Sequence, residues 1–356
     1  MSRFLIERLR PLEEYVPGEQ PRDKKYVKLN TNESPYPPSP SVIAAINAES
    51  AADLRLYSDP TGLRLKKALA GYYGVGAENV FVCNGSDEAL SFFFAAFCGT
   101  DVPINCPEIS YGFYPVFAQY YGTPYNAVPM EDDLSVDHRR FLGVKGHIMI
   151  ANPNAPTGIA LSPDEIKEIL ESDPDRLVCV DEAYVDFGAQ TALPLLADHP
   201  NLVVVRTYSK SRSMAGARLG FAFAAPEIIA DLEKIKYSTN PYNVNRLTQS
   251  AGEAALLDGE YYRENCRAII RDREFTVSEL KKLGGVLTPS TANFIFVRFP
   301  GKDGGEIYHA LKERGVLVRH FGLERIKDYL RITIGTREEC AVLIAELKNI
   351  LGGKNE

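Results

Sequence analysis

An apolar run, Asn201-Leu-Val-Val-Val-Arg-Thr-Tyr-Ser-Lys210, has the composition of a buried strand and ends in a lysine. A second run, Leu177-Val-Cys-Val180, ends in Asp181-Glu-Ala-Tyr184. Neighbouring strands would bring the lysine and the aspartate to one edge of a sheet, where open α/β folds place their ligands. A lysine amine attacks a carbonyl only if its surroundings lower its pKa. Taken singly, each residue has an ordinary alternative: a solvated surface lysine and a helix-capping aspartate.

The rest of the chain alternates strand-like and helix-like segments from about residue 57 to 224. This alternation predicts an α/β fold with a mostly parallel sheet covered by helices. A long helical pattern follows to about residue 283, and strand candidates lie at 293–299, 316–320 and 329–334. We therefore expect an N-terminal arm (1–33), a large domain (34–240) and a smaller α+β domain (241–356).

Composition narrows the classes of function. The 356 residues are 45% hydrophobic and 24% charged with a net charge of −7, and no long basic cluster favours nucleic acid as a partner. The six cysteines form no C-x-x-C pair, so reduced thiols fit better than disulfides or a zinc site, and no metal is expected. We expect a cytoplasmic protein, since the chain shows neither a signal-peptide core nor an apolar stretch of membrane-spanning length.

Two further motifs sit where strands give way to helices or turns. In Asn84-Gly-Ser-Asp-Glu88, Gly85 permits a tight turn, and the backbone N–H groups of Ser86 and Asp87 would point at an anion such as phosphate. The alternative is a plain helix cap by Ser86. The asparagines of Asn152-Pro-Asn-Ala-Pro-Thr-Gly158 would hydrogen-bond a ligand or merely close the turn.

The order of these motifs supports a resemblance to a known family. The chain resembles fold type I pyridoxal-phosphate aminotransferases over nearly its whole length, and among them the histidinol-phosphate aminotransferases. The segments that support it are Leu29-Asn-Thr-Asn-Glu-Ser-Pro-Tyr36, Tyr57-Ser-Asp-Pro60, Asp181-Glu-Ala-Tyr-Val-Asp-Phe187, Thr207-Tyr-Ser-Lys210 with Arg218-Leu-Gly-Phe221, and Leu330-Arg-Ile-Thr-Ile-Gly335.

The resemblance implies roles around the pyridoxal ring. Lys210 would form the Schiff base and move a proton between Cα and C4′. Asp181 would keep the pyridine nitrogen protonated, and the cation would in turn keep Asp181 ionised. Tyr184 would hydrogen-bond the phenolic oxygen, and Tyr111 would stack on the ring.

The resemblance also implies a phosphate site and a partner. The residues expected around the cofactor phosphate are Gly85, Ser86, Asp87, Ser209 and Arg218. Tyr57 would reach the phosphate of the neighbouring subunit's cofactor, which implies a homodimer.

One loop departs from the family pattern. The family has asparagine immediately before Pro-Thr-Gly, whereas this chain has Ala155. The contact to the phenolic oxygen must then pass to Asn154 or Asn152, and we expect Asn154.

Substrate recognition is expected from three residues. In residues 330–334 the apolar side chains alternate onto one face and leave Arg331 on the other, where its guanidinium suits a planar carboxylate. A surface salt bridge is the alternative for Arg331, and the resemblance makes it the α-carboxylate anchor. By the same resemblance, Arg319 and Tyr15 match positions at the phosphate end of histidinol phosphate.

The implied reaction is transamination between L-histidinol phosphate and 2-oxoglutarate, a step of histidine biosynthesis. The alternatives within the scaffold are an aromatic or broad-range aminotransferase and a phosphothreonine decarboxylase. A cofactor-binding regulator without turnover is a further alternative, but the arm is too short and too rich in proline for a DNA-binding segment.

Overall fold

A computed structural model of the chain describes residues 3–49 and 51–352. Residues 1–2 of the predicted arm and 353–356 of the predicted small domain lie outside the described residues. The strands are β1 (Val27–Lys28), β2 (Val80–Cys83), β3 (Ile104–Pro107), β4 (Tyr125–Val128), β5 (His147–Ala151), β6 (Val178–Asp181), β7 (Leu202–Thr207), β8 (Gly220–Phe223), β9 (Val286–Leu287), β10 (Phe294–Arg298), β11 (Val316–Leu317), β12 (Arg319–His320) and β13 (Tyr329–Thr333). The helices are α1 (Pro40–Ala48), α2 (Leu63–Tyr73), α3 (Ser86–Phe97), α4 (Phe113–Tyr121), α5 (Pro163–Glu171), α6 (Pro226–Thr239), α7 (Arg246–Leu257), α8 (Gly259–Lys282), α9 (Gly304–Glu313) and α10 (Arg337–Gly352).

The large sheet has seven strands in the order β2-β8-β7-β6-β5-β3-β4. Strand β8 runs antiparallel to β2 and β7, and the other neighbouring pairs are parallel. The chain returns from β7 to β8 without a crossover helix, so these two strands must be antiparallel. The predicted α/β fold with a mostly parallel sheet is confirmed.

Helices cover both faces of this sheet because its central strands are apolar on both sides. Leu202 and Val204 of β7 enter a core shared with α2, α5 and α7, whereas Val203 and Val205 enter a core shared with α3, α4 and α6. Successive side chains of a strand point to opposite faces, so an uninterrupted apolar run requires cover on both. The run thus fixes β7 at the centre of the molecule.

A second sheet of four strands, β12-β13-β10-β9, is antiparallel and packs with α8, α9 and α10. The strand expected over 316–320 is in fact two short strands. Strand β11 pairs in parallel with β1 of the arm, and β12 pairs with β13. The prediction of one continuous strand was wrong because a partner 289 positions away, Val27 for Val316, takes the first half into another sheet.

Helices α7 and α8 connect the two sheets. Helix α7 packs against α1 and α2 beside the large sheet, although its residues fall within the predicted 241–356 domain. Helix α8 then extends to the four-stranded sheet. The domain boundary at residue 240 stays a prediction.

The six cysteines are free thiols, and five of them are buried. Within the described ranges, no helix combines the length and apolarity needed to cross a membrane.

Candidate active site

A cavity of about 670 Å³ lies at the carboxyl ends of β6 and β7, where residues of the large sheet, the four-stranded sheet and the arm meet. Parallel strands present their carboxyl ends at one edge, which is the expected ligand position in such folds. The predicted site residues in its wall are Tyr15, Ser86, Asp87, Tyr111, Asp181, Tyr184, Ser209, Lys210, Arg218, Arg319 and Arg331.

Lys210 follows β7 and reaches into this cavity. Its Nζ donates a hydrogen bond to the carbonyl oxygen of Thr31 at 3.2 Å and lies 5.8 Å from the ring centre of Tyr184. Burial, followed by the charge of Arg331, lowers the pKa of Lys210 from 10.5 to about 8. The amine is therefore far closer to its neutral, nucleophilic form at neutral pH than an ordinary lysine.

Asp181 is the last residue of β6 and is only 5% exposed. Its carboxylate accepts hydrogen bonds from the Tyr114 hydroxyl at 3.0 Å and from the backbone N–H of Ala183 at 3.2 Å. Burial nevertheless raises the pKa of Asp181 to about 7. A carboxylate in this position stays ionised when a cation is next to it, which suits a protonated ring nitrogen.

The start of α3 forms a cradle for an anion. The first N–H groups of a helix have no partner inside it, so those of Ser86 and Asp87 are available. Gly85 has φ +77°, and a Cβ there would lie 2.5 Å from Nη2 of Arg218. A Cβ on Gly220 would lie 2.4 Å from the Ser86 nitrogen. The two glycines let the guanidinium and the helix start approach one another, which fits a phosphate group.

The side chains around this helix start are connected by an ion pair and hydrogen bonds. The guanidinium of Arg218 pairs with the Asp87 carboxylate at 3.2 Å. The Tyr111 hydroxyl donates to the other oxygen of Asp87 at 2.9 Å, and the Ser209 oxygen accepts a hydrogen bond from Thr207 at 3.0 Å. Asp87 therefore orients both Arg218, which is predicted to bind the cofactor phosphate, and Tyr111, which is predicted to stack on the ring.

Arg331, on β13, supplies an uncompensated cation. Its Nη2 donates to the carbonyl oxygen of Asn30 at 3.1 Å, and its Nε is buried without a hydrogen-bond partner among the described residues. No carboxylate in the described ranges forms an ion pair with it, and its charge lies 5.5 and 5.6 Å from the rings of Phe294 and Phe321. A half-buried guanidinium whose Nε has no partner, in the wall of a cavity, is a site for an anionic group.

Comparison with known proteins supports the chemistry of this cavity. The family described as aminotransferase class I and II matches residues 24–347. The chain belongs to this family. Histidinol-phosphate aminotransferase 1 of Bradyrhizobium diazoefficiens is 48% identical over 351 residues, which is 99% of this chain and 100% of that protein. Histidinol-phosphate aminotransferase 2 of Dechloromonas aromatica is 48% identical over 356 residues, again 99% and 100%. The structure of histidinol-phosphate aminotransferase from Sinorhizobium meliloti in complex with pyridoxal-5'-phosphate has a TM-score of 0.89 and 26% identity, covering 99% of this chain and 100% of that one.

The side chain of Asn154 is occupied by its neighbours in this aminotransferase. Its amide nitrogen donates to the Ile109 carbonyl at 2.9 Å and to the Thr157 hydroxyl at 3.1 Å, and its oxygen accepts from Ser110 at 2.8 Å. The Asn152 amide is likewise paired with the backbone of Leu161. Neither asparagine is in the cavity wall, which contains Ala155 instead. The amide of Asn154 is thus fully paired with Ile109, Ser110 and Thr157 in this structure, and its contact to the phenolic oxygen stays a prediction.

Arg319 and Tyr15 meet at the arm. The guanidinium of Arg319 donates to the backbone carbonyls of Val16 at 2.8 Å and Pro17 at 3.1 Å. The ring of Tyr15 stacks on Phe113 at 4.2 Å. These contacts hold the arm over the cavity, so part of the donor capacity of Arg319 is already used.

Tyr57 is 78% exposed and is not in the cavity wall of its own chain. Its ring stacks on Tyr242, itself 40% exposed, at 4.2 Å. The predicted role across a subunit interface stays a prediction.

Two groups without a role predicted from the sequence, the side chain of Asn32 and the backbone of Thr31, contact the predicted site residues. Asn32 donates to the Tyr184 hydroxyl at 3.1 Å, and the Thr31 carbonyl accepts from Lys210. Both belong to the motif 29–36 that was used only for the family resemblance. The sequence held a weak signal, since asparagine is among the residues other than glycine that favour a left-handed backbone, and the structure gives Asn32 φ +55°.

Proposed function

We propose that this aminotransferase moves the amino group of L-histidinol phosphate to 2-oxoglutarate with pyridoxal phosphate as its cofactor, a step of histidine biosynthesis. The observation that carries the proposal is that Arg331, a half-buried cation without a carboxylate partner among the described residues, shares one cavity wall with Lys210. The names of the relatives that are 48% identical over nearly the full length support the same substrate.

Bound pyridoxal phosphate supplies an electron sink for the electrons left behind when the substrate Cα loses its proton. The residues that would hold it divide by chemistry. Arg218 and the start of α3 suit its phosphate, Asp181 suits its ring nitrogen, and Tyr184 suits its phenolic oxygen. Tyr111 would cover the ring.

Lys210 would act twice in the proposed reaction. Its lowered pKa would provide the neutral amine that forms the Schiff base with the carbonyl carbon of the cofactor, with loss of one water. Once substrate has displaced it, the same amine would carry a proton between Cα and C4′. Both tasks require an amine that gains and loses a proton near neutral pH.

Arg331 would bind the two substrates in turn. Histidinol phosphate has no carboxylate, and its anionic group is the phosphate ester, whereas 2-oxoglutarate presents an α-carboxylate. The two substrates occupy one cavity in successive half-reactions, so Arg331 would meet the phosphate of one, together with Arg319, and the α-carboxylate of the other. A guanidinium can do so, because it offers two parallel hydrogen bonds to either group.

The test is a panel of amino donors with 2-oxoglutarate as acceptor: histidinol phosphate, phenylalanine, tyrosine and phosphothreonine. We expect histidinol phosphate to have the highest kcat/KM and to yield its 2-oxo product together with glutamate. A higher kcat/KM for phenylalanine would establish an aromatic aminotransferase instead. Release of carbon dioxide from phosphothreonine would establish a decarboxylase.

A spectroscopic control separates the cofactor from the donor. The wild-type protein with pyridoxal phosphate should show a visible absorption band that borohydride bleaches, and the Lys210→Ala protein should not. A wild-type protein that stays colourless would refute the proposed cofactor whatever the donor panel shows.

The assembly and compartment belong to the same proposal. An exposed aromatic pair, Tyr57 and Tyr242, supports a homodimer in which Tyr57 reaches the neighbouring subunit's cofactor phosphate. Free and mostly buried thiols support a reducing, cytoplasmic location.

A further inference from the structure

Asn32 is a buried residue, 1% exposed, that connects the four-stranded sheet to Tyr184. Its amide nitrogen donates to the Tyr184 oxygen at 3.1 Å, and its amide oxygen accepts from the Thr333 hydroxyl at 3.1 Å. Its backbone N–H donates to the Thr333 oxygen at 2.9 Å, and its carbonyl accepts from Asn293 at 3.1 Å. Each polar group of Asn32 thus has a partner.

The orientation of the Asn32 amide follows from Thr333. The Thr333 hydroxyl is buried, and its oxygen already accepts the backbone N–H of Asn32, so its hydrogen needs an acceptor. The amide oxygen of Asn32 is that acceptor. Turning the amide over would leave this buried hydroxyl hydrogen without its partner, which is costly in a site shielded from water. The nitrogen of the amide therefore faces Tyr184.

The direction of this hydrogen bond decides what Tyr184 can do. Because the Tyr184 oxygen accepts from Asn32, its own hydrogen must point elsewhere, and Tyr184 is in the cavity wall. Ala155, at the position where the family has asparagine, offers no polar side chain, and both N–H groups of the Asn154 amide are already donated, to Ile109 and Thr157. The contact to the phenolic oxygen thus falls to the Tyr184 hydroxyl.

We propose that Asn32 is a positioning residue that directs the hydroxyl hydrogen of Tyr184 into the cavity, toward the phenolic oxygen of the cofactor. This inference rests on the proposed function. By accepting the Asn32 N–H, the Tyr184 oxygen is left to donate its hydrogen to the cofactor. This donor matters more here because Ala155 replaces the asparagine that would be the second one.

The electrostatics around Tyr184 agree with a protonated donor. Burial raises the pKa of Tyr184 above its ordinary value, and the nearby charges of Asp181 and Asp87 act in the same direction. The charge of Arg331 and the hydrogen bond from Asn32 act against them without reversing the shift. Tyr184 therefore keeps its hydrogen throughout the neutral pH range.

Substitutions of Asn32 can separate direction from packing. Asn32→Asp keeps the shape and tolerates φ +55°, but a carboxylate can only accept, so it would draw the Tyr184 hydrogen toward itself. Asn32→Gly suits the left-handed backbone and removes the amide without adding charge. Tyr184→Phe removes the hydroxyl whose direction is in question, and it serves as the matched background.

The readout is the pH midpoint of the visible absorption change of the holoenzyme, together with the Kd of pyridoxal phosphate. The midpoint is the pKa of the Schiff-base nitrogen formed by Lys210. A hydrogen bond donated to the phenolic oxygen stabilises negative charge on that oxygen, and it therefore favours the form in which this nitrogen has lost its proton. Losing the bond should raise the midpoint. We expect a rise of about one pH unit for Asn32→Asp and a smaller rise for Asn32→Gly.

The double substitution distinguishes an effect that acts through the Tyr184 hydroxyl from a direct effect of the new carboxylate charge on the cofactor. In the Tyr184→Phe background, Asn32→Asp should shift the midpoint by less than half as much, and Asn32→Gly should not shift it. Equal shifts in both backgrounds, or no shift in the wild-type background, would overturn the inference. If Asn32→Asp does not fold, the Asn32→Gly comparison decides by the same criterion. A wild-type holoenzyme without a borohydride-sensitive band is a different result, which refutes the proposed cofactor itself.

Discussion

Cofactor-free protein should capture pyridoxal phosphate at a rate that rises with pH up to about 8 and then levels off. The reason is the pKa of Lys210, which burial and the charge of Arg331 lower from 10.5 to about 8. Only the neutral amine attacks, so the rate follows the neutral fraction. At pH 7 that fraction is about one tenth for a pKa near 8 and about one in three thousand for an ordinary lysine, a ratio of about 300.

The assay is stopped-flow absorbance of the visible band between pH 6 and 10. The rate with free N-acetyl-lysine, divided by the neutral fraction of its amine, measures how the reactivity of pyridoxal phosphate itself changes with pH. The rate with the protein is divided by this factor, and Lys210→Ala defines the background. Below the levelling point the corrected rate should rise about tenfold per pH unit. A corrected rate that keeps rising tenfold per unit to pH 10 would refute the lowered pKa.

The cause of the shift can be checked with Arg331→Met. Removing this cation should raise the pKa of Lys210, and the levelling point should move to higher pH. Burial is the larger cause, so the levelling point should stay below that of N-acetyl-lysine. An unchanged levelling point would contradict the contribution of Arg331.

Three further outcomes are expected. Glu182→Gln should lower the free energy of unfolding by about 1–3 kcal/mol in urea titrations, because the buried Arg206 would lose its carboxylate partner at 2.8 Å and keep only Asp186 at 3.3 Å; an unchanged midpoint would contradict this. Arg319→Ala should reduce kcat/KM for histidinol phosphate at least about tenfold more than for phenylalanine, consistent with a charge-assisted contact, and equal losses would limit Arg319 to holding the arm. Light scattering should give a mass near twice 39.5 kDa, and Tyr57→Phe should weaken pyridoxal phosphate binding about threefold to tenfold; a monomeric mass would refute the shared site.

Much of the fold could be predicted because its central strands are buried on both faces. Uninterrupted apolar runs at 177–180 and 202–205 are the pattern of such strands, and they overlap β6 and β7. The strand expected over 316–320 failed for the opposite reason. Its residues pair with two different neighbours, and periodicity along one segment carries no information about partners elsewhere in the chain.

Most of the candidate site could also be predicted, but side-chain directions in loops could not. Asp181 ends β6 and Lys210 lies three positions after the end of the neighbouring β7, so the sheet itself brings them to one edge. Asn154 lies in a loop, where the backbone path decides which side chain faces the cavity. That path turns Ala155 toward the cavity and directs the amide of Asn154 to the carbonyl oxygen of Ile109.

The sequence by itself determined the parallel sheet, the lysine and aspartate at its edge, and the order of motifs that indicates an aminotransferase. These follow from local patterns, since burial on both faces and turn chemistry are written in consecutive residues. Only the tertiary structure decided that Arg331 has no carboxylate partner in the described ranges and that Asn32 orients Tyr184. Asn32 and Tyr184 are 152 positions apart. The direction of a buried hydrogen bond and the pairing of a buried charge depend on groups that meet only when distant segments fold together.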